Sequence, residues 1–213
     1  MENEKKISSK QIERYTVYLK YLIVLKKSNI NQITSSEIAK EVKCSEETVR
    51  KDLQLITNLA TPGVKRDINT LIYDIEEFLG YHEKKNIIIV GCGKLGRALM
   101  SYQGFDEYGI KLVAGFDIDP NIVGEKINDI DVYHIDRFKE IIDKYNVKTA
   151  VLATRKHCAQ ELADKLIECG IKSIYNFVPQ YLLKAKDDVY IENFDIASSI
   201  AFVSSKQNVK EKR

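Results

Sequence analysis

A chain of 213 residues can hold one large domain or two small ones, each with its own buried core. Its net charge of +2 excludes a strongly polycationic or polyanionic protein. No apolar run reaches the roughly eighteen residues that would cross a membrane. Cys44, Cys92, Cys158 and Cys169 form no C-x-x-C pair and have no histidine at zinc-ligand spacing, so they read as free thiols with no metal site. The charged N-terminus, Met1 to Lys6, has no apolar stretch of the secretory kind behind it. A reducing, cytoplasmic setting is the expectation.

From Ser9 to Lys27 the apolar residues Ile12, Tyr15, Leu19, Leu22, Ile23 and Leu25 recur mostly at steps of three and four, which predicts an amphipathic helix. Thr34 and Glu37 make a T-x-x-E capping box that starts a second helix over Ser35 to Val42. After the break at Lys43 and Cys44, Ser45 caps a third helix with Glu46 and Glu47 in its first turn. Its spacing turns Val49, Leu53 and Ile56 inward and leaves Thr48, Arg50 and Lys51 outward. Two short helices with so brief a break outline a helix-turn-helix, whose second helix can enter a major groove. Met1 to Asp67 carry 13 Lys or Arg against 9 Asp or Glu, an excess that permits nucleic-acid binding without requiring it. The local pattern fits a DNA-binding domain and a plain helical bundle equally. Thr61 to Asp67, with Pro62, Gly63, Lys65 and Arg66, fits either a charged hairpin wing against a phosphate backbone or a simple loop. A helix over Asn69 to Leu79 then ends at Gly80, and Tyr81 to Lys85 form a linker.

The second half is organised around Asn86 to Leu99. Ile87 to Val90 form an apolar run suited to a strand buried on both faces, and Gly91, Gly93 and Gly96 follow as G-x-G-x-x-G. The first glycine permits the tight turn, the second a close approach by a diphosphate, the third the packing of helix on strand. A second strand, Lys111 to Phe116, ends in Asp117, where dinucleotide folds place the acid that accepts ribose hydroxyls. Helices and strands then alternate: a helix near Leu95 to Tyr102, a strand over Asp131 to Tyr133, a helix near Asp136 to Tyr145, a strand over Thr149 to Ala153. A helix from His157 to Cys169 and strands over Ser173 to Phe177 and Asp188 to Ile191 complete a doubly wound parallel sheet. The last helix, from near Asn193 with Ile196, Ile200, Phe202 and Val203, follows a complete sheet, so a homodimer packed across it is expected. The charged tail from Lys206 is expected to fray.

Together these motifs resemble the Rex family of bacterial repressors that sense the ratio of NADH to NAD. The matching stretches are Thr48 to Leu53, Val90 to Leu99, Tyr102 to Phe105, Phe116 to Pro120 with Gly124, Ala159-Gln160, Gly170 to Lys172, and Asn176-Phe177 with Pro179. The resemblance implies an α/β protein with an N-terminal winged-helix domain (residues 1–80), a linker (81–85), a Rossmann domain (86–192) and a C-terminal helix (193–213) exchanged in a homodimer. It implies NADH or NAD at Gly91, Gly93, Lys94, Leu95, Gly96, Tyr102, Asp117 and Thr154. Operator DNA, palindromic by dimer symmetry, would meet Thr48, Arg50, Lys51, Lys65 and Arg66. Arg14, Tyr102 and Asp195 match the family's switching set, in which one carboxylate accepts from a guanidinium or a phenol in alternate states.

The chain departs from the family pattern at three places. The wing reads Thr61-Pro62-Gly63, Lys94 stands where an Asn-like residue is usual, and Arg155-Lys156 follow the fourth strand. Two cations beside the nicotinamide would disfavour the NAD ring and suit another anionic ligand. This motivates an alternative, a Rex-like paralogue with a changed ligand or without DNA binding that acts through a protein partner. An oxidoreductase would need a substrate domain and an acid or base near the nicotinamide, and only His157 offers itself. Cys92, beside a helix N-terminus, reads as a small residue that fits the loop or, alternatively, as a reactive thiol.

Overall fold

The structure, a computed structural model, describes residues 7–57, 63–183 and 187–210. The chain divides into two compact units, Met1–Glu83 and Lys84–Arg213.

In the first unit, α1 (Ser9–Lys27) starts at a reciprocal cap between Ser8 and Gln11. β1 (Gln32–Ile33) leads to α2 (Ser35–Val42), which opens on the Thr34–Glu37 box read from the sequence. Lys43 ends α2 in the left-handed region at φ 55°, which turns the chain within two residues into α3 (Glu46–Ile56), capped by Ser45. β2 (Arg66–Asp67) pairs antiparallel with β1, and α4 (Ile68–Phe78) follows, its first turn capped by Asp67. Tyr15, Tyr18 and Leu22 of α1 pack with Ile38, Leu53 and Ile75 in one core. Thr61 and Pro62 of the expected wing lie outside the described residues.

The second unit is built on seven strands: β3 (Lys85–Val90), β4 (Ile110–Asp117), β5 (Lys126–Ile127), β6 (Ile130–His134), β7 (Thr149–Leu152), β8 (Ser173–Asn176) and β9 (Tyr190–Asn193). Their order is β5-β6-β4-β3-β7-β8-β9, with every neighbouring pair parallel except β5–β6. Without β5 this is the dinucleotide-binding order, whose direction reverses between β3 and β7. α5 (Lys94–Met100), α6 (Phe138–Lys144) and α7 (Ala159–Glu168) are the intervening helices. β3 divides its side chains between two cores, Ile88 and Val90 to one and Ile87 and Ile89 to the other, as the period of two requires.

Two features differ from the sequence expectation. β5 and β6 form a hairpin through Asn128 and Asp129, both at positive φ (48° and 63°). That turn needs side chains tolerant of the left-handed region, and a two-residue strand carries no alternation by which to be recognised. The last helix, α8 (Ile196–Lys210), starts later than expected because Asn193 belongs to β9, and it runs on through Lys206. All its described side chains are exposed, Ile200, Phe202 and Val203 by 61–64%, so it buries nothing against its own sheet.

Candidate nucleotide site and nucleic-acid interface

Where the strand order reverses, the C-terminal ends of β3, β4 and β7 frame a cavity of about 660 Å³. Gly91 and Gly93 line one side, Asp117 and Asp119 another, and Thr154 the mouth of β7. Ile118, Ile122, Ile135 and Leu162 give it apolar walls suited to a flat base.

The glycines act through close approach. Gly91 stands at φ +96°, and a Cβ there would lie 2.5 Å from the Ala153 carbonyl oxygen, so the loop is sealed against the end of β7. A Cβ on Gly96 would fall 1.9 Å from the Gly91 carbonyl oxygen, which is how α5 closes onto β3. Gly93 has open space where its Cβ would be and caps α5 without any side chain, leaving the first-turn amides unclaimed by a capping group. These features fit a dinucleotide diphosphate. Asp117 braces the same loop: its Oδ2 accepts from the Cys92 amide at 2.7 Å, and its Oδ1 from the amides of Ile118 (2.7 Å) and Asp119 (3.1 Å).

The residues singled out in sequence are only partly gathered here. Gly91, Gly93, Asp117 and Thr154 line the cavity, whereas Lys94, Leu95, Gly96 and Tyr102 lie outside its wall. Tyr102 is 59% exposed, rests edge-on against Phe105, and borders a separate hollow of about 160 Å³. Arg155, expected beside the nicotinamide, lines the cavity together with His157. The cavity also takes in Asp119, Glu161 and Lys165, which the sequence reading passed over. Asp119 had a signal in its place two residues beyond Asp117, whereas the other two stand on a helix that only the fold brings round.

Of the two readings of Cys92, burial favours the packing one. Its side chain is fully buried among Ile87, Ile89 and Met100, and burial, with Asp117 nearby, pushes its thiol up to about 12. A thiol so held stays protonated at neutral pH, and the residue serves packing rather than a redox input.

In the first unit α3 presents Thr48, Arg50 and Lys51 away from its buried Val49 and Leu53. Thr48 Oγ1 meets Ser45 Oγ at 2.8 Å, and Lys51 pairs with Glu47 at 2.8 Å one turn back, both side chains of that pair standing in water. Lys65 is exposed. Arg66 is a correction: only 9% exposed, it donates to Ser35 Oγ at 2.7 Å, so its guanidinium ties β2 to α2 instead of facing a phosphate. Of the expected switching set, Arg14 is held by Asp52 within its own unit, and Asp195 accepts the amides of Ala197 (2.9 Å) and Ser198 (3.2 Å) as the cap of α8. At the end of β8, Asn176 is fully buried and bonds Val178, Gln180 and Asn193, which fastens the Asn176–Phe177–Pro179 stretch to β9. Among the described residues no cluster of His, Cys, Asp or Glu could hold a metal ion, and no helix is long and apolar enough to cross a membrane.

Residues 82–180 match the CoA binding domain family, and residues 6–54 match the family described as putative DNA-binding protein N-terminus. The chain is 35% identical over 195 residues to the redox-sensing transcriptional repressor Rex of Pelotomaculum thermopropionicum, covering 92% of this chain and 91% of the relative. It is 35% identical over 210 residues to that of Caldicellulosiruptor saccharolyticus, covering 99% and 95%. Among solved structures it is similar to RSP, a Rex-family repressor, with a TM-score of 0.86, 32% identity and coverage of 98% of this chain and 97% of that one. The same repressor in complex with β-NAD+ and operator DNA gives a TM-score of 0.87 at 32% identity, with coverage of 98% and 95%.

Proposed function

This chain belongs to the Rex family of redox-sensing transcriptional repressors, and from that premise we propose that it represses transcription by binding operator DNA and releases the DNA when NADH fills the Rossmann cavity. The observation that carries the reading is the cavity at the reversal of strand order, with its close-packed Gly91 and Gly96, on a chain that also carries α3. The glycine-loop amides hold the diphosphate, Thr154 borders it, and the apolar wall of Ile118, Ile122 and Ile135 takes the adenine. Thr48, Arg50 and Lys51 read the major groove, and Lys65 lies along the backbone.

The repressor works as a homodimer, with the exposed apolar residues of α8 meeting the other subunit, in the cytoplasm where the DNA is. Two recognition helices related by a two-fold axis call for a palindromic site. Arg14, Tyr102 and Asp195 form the contacts that differ between the DNA-binding and NADH-bound states. NADH acts by population shift, so it binds the DNA-incompetent state more tightly than the other. The protein acts as a regulator, and its relatives' role as repressors supports this reading.

The test is selection of an operator from genomic fragments by the full-length protein, followed by fluorescence anisotropy with NADH and NAD titrated separately. Release by NADH at concentrations where NAD leaves the complex intact supports the reading. An operator complex indifferent to both nucleotides sinks it and favours a paralogue that answers to another ligand.

A further inference from the structure

We propose that Glu47 on α3 is a base-reading residue, whose carboxylate accepts from the N4 amino group of a cytosine in the major groove and so fixes one position of each operator half-site. This rests on the operator-DNA reading of α3 and specifies the sequence that the helix selects.

The helical period decides which side chains α3 turns outward. Val49, Asp52 and Leu53 are buried, and Ile56 is half-buried on the same side. At about 100° per residue the middle of the opposite side falls at Glu47, with Lys51 and Gln54 to either side of it. All three are exposed, whereas Thr48 and Arg50 stand half-buried at the flanks of this ridge. Glu46, the other acid of the first turn, is rotated away from the ridge toward Leu53. A recognition helix meets base edges with its N-terminal residues, and Glu47 is both in the first turn and on the outermost line.

A carboxylate in that place is repelled by the phosphates, so it gains from DNA only where it finds a hydrogen-bond donor. The donors of the major groove are the amino groups of cytosine and adenine. Adenine carries its N7 acceptor beside the amino group, which the second lone pair of a carboxylate opposes, so cytosine is the better partner. Glu47 Oε1 stands 2.8 Å from Lys51 Nζ, and the two side chains are 63% and 68% exposed. An ion pair so wet opens at little cost, and opening it frees an acceptor for a base and a cation for the backbone. Any other base leaves the carboxylate desolvated without a donor, so Glu47 discriminates by penalty as well as by contact.

Fluorescence anisotropy of the full-length protein on its selected operator and on duplexes carrying each single base-pair change, repeated on Glu47→Ala and Glu47→Gln, tests the assignment. The expected result is one position per half-site where replacing cytosine costs the parent protein about tenfold or more and costs Glu47→Ala nothing. Glu47→Gln, whose amide suits adenine N6 and N7 together, shifts the preference at that position toward adenine. Random duplex binds Glu47→Ala more tightly than the parent, because a charge that opposes the phosphates is gone. A residue that served only as the partner of Lys51, or as an acid in the first turn, would alter stability and leave the base preference at every position as it was. That result overturns the proposal and leaves the repressor reading standing. Loss of a preference for some base other than cytosine overturns it as well. If the parent protein selects no operator at all, the repressor reading falls and this one with it.

Discussion

Arg14 on α1 grips Asp52 on α3 through two hydrogen bonds, Nε to Oδ2 at 2.6 Å and Nη2 to Oδ1 at 2.7 Å, and the carboxylate is 3% exposed. Tyr18 adds its phenol to Oδ2 at 2.9 Å, and Tyr15 donates to the backbone oxygen of Asp52 at 2.6 Å. Asp52 sits next to Arg50 and Lys51 in sequence yet faces the opposite way. The buried side of the recognition helix is thereby fastened to α1, and its outer side is presented in a fixed orientation. Arg14→Ala leaves a buried carboxylate without its cation and is expected to lower the stability of the first unit by about 3–5 kcal/mol. Asp52→Asn keeps the shape and leaves Arg14 partly in water, so it costs less, about 2–3 kcal/mol. Urea unfolding followed by circular dichroism measures both. A change under about 0.5 kcal/mol for Arg14→Ala, the scale of a surface substitution, would reduce the pair to an incidental contact.

The same cluster sets a pH window. Burial pushes the Asp52 carboxyl up, but the hydrogen bonds from Arg14 and Tyr18 outweigh it and hold the group below its ordinary value. A depressed folded-state pKa contributes stability above the unfolded value of about 3.9, and that contribution is lost as pH falls through the folded value. Burial, then the Asp52 charge, pushes the Tyr15 phenol up to about 12. A raised folded-state pKa contributes stability below the unfolded value of about 10 and loses it as pH rises toward 12. The first unit should therefore hold a plateau of stability between these limits. Asp52→Asn should flatten the acid limb and leave only that part of the alkaline limb which burial of Tyr15 supplies. An unchanged acid limb in that variant would assign acid unfolding to other carboxylates.

The legible parts of this chain are those with a local signature. The Thr34–Glu37 box, the Ser45 cap and the spacing of Val49 and Leu53 specify α2 and α3 within a few residues, because each reports on its own turn of helix. Gly91 and Gly96 were legible for the same reason, since each glycine answers a steric demand within the loop. The inward turn of Arg66 was not, because nothing beside it in sequence announces Ser35 thirty-one residues away. Glu161 and Lys165 were not legible as cavity residues for a related reason. They stand on α7, more than forty residues after Asp117, and sequence distance does not convert into position across a sheet.

Gly96→Ala should abolish nucleotide binding. The added methyl would sit 1.9 Å from the Gly91 carbonyl oxygen, which is backbone and has no rotamer to yield. α5 must then move off β3, and the first-turn amides move with it. A loss in NADH affinity of about a hundredfold or more is expected, together with about 1–3 kcal/mol of stability, the usual cost of overpacking. Gly93→Ala makes the control, since nothing lies within 4 Å of its Cβ position. Equal behaviour of the two variants in calorimetry would mean that the loop discriminates by approach of the ligand and not by packing of the helix.

Cys92 should resist thiol reagents in the native protein. Its thiol is buried and shifted up to about 12, while Cys44, Cys158 and Cys169 are all partly accessible. Mass spectrometry after a brief pulse of iodoacetamide at pH 7 should find Cys92 unlabelled where the others are modified, and urea should equalise them. Cys92→Ser should keep its nucleotide response after mild peroxide, as the parent does. Rapid native labelling of Cys92 would show that the loop opens, and would return the thiol to consideration as a sensor.

Three basic residues of the first unit, Arg50 and Lys51 on α3 and Arg66 on β2, give the most discriminating test, because three different effects are expected of them. Arg50→Ala removes a reader of base edges, so operator affinity should fall by about 1–3 kcal/mol while binding to random duplex changes little. Lys51, in the proposed major-groove interface, must first leave Glu47, with which it pairs at 2.8 Å, and as a point charge it is expected to gain mainly from the nearby phosphates. Lys51→Ala should weaken operator and random DNA alike and lower the slope of log affinity against log salt by about one. Arg66→Ala should leave that slope untouched, since its guanidinium lies within the fold on Ser35. Its cost appears instead in stability, about 1–3 kcal/mol for a buried charged hydrogen bond. A reduced salt slope in Arg66→Ala would place that guanidinium on the DNA and require the β1–β2 pair to rearrange on binding.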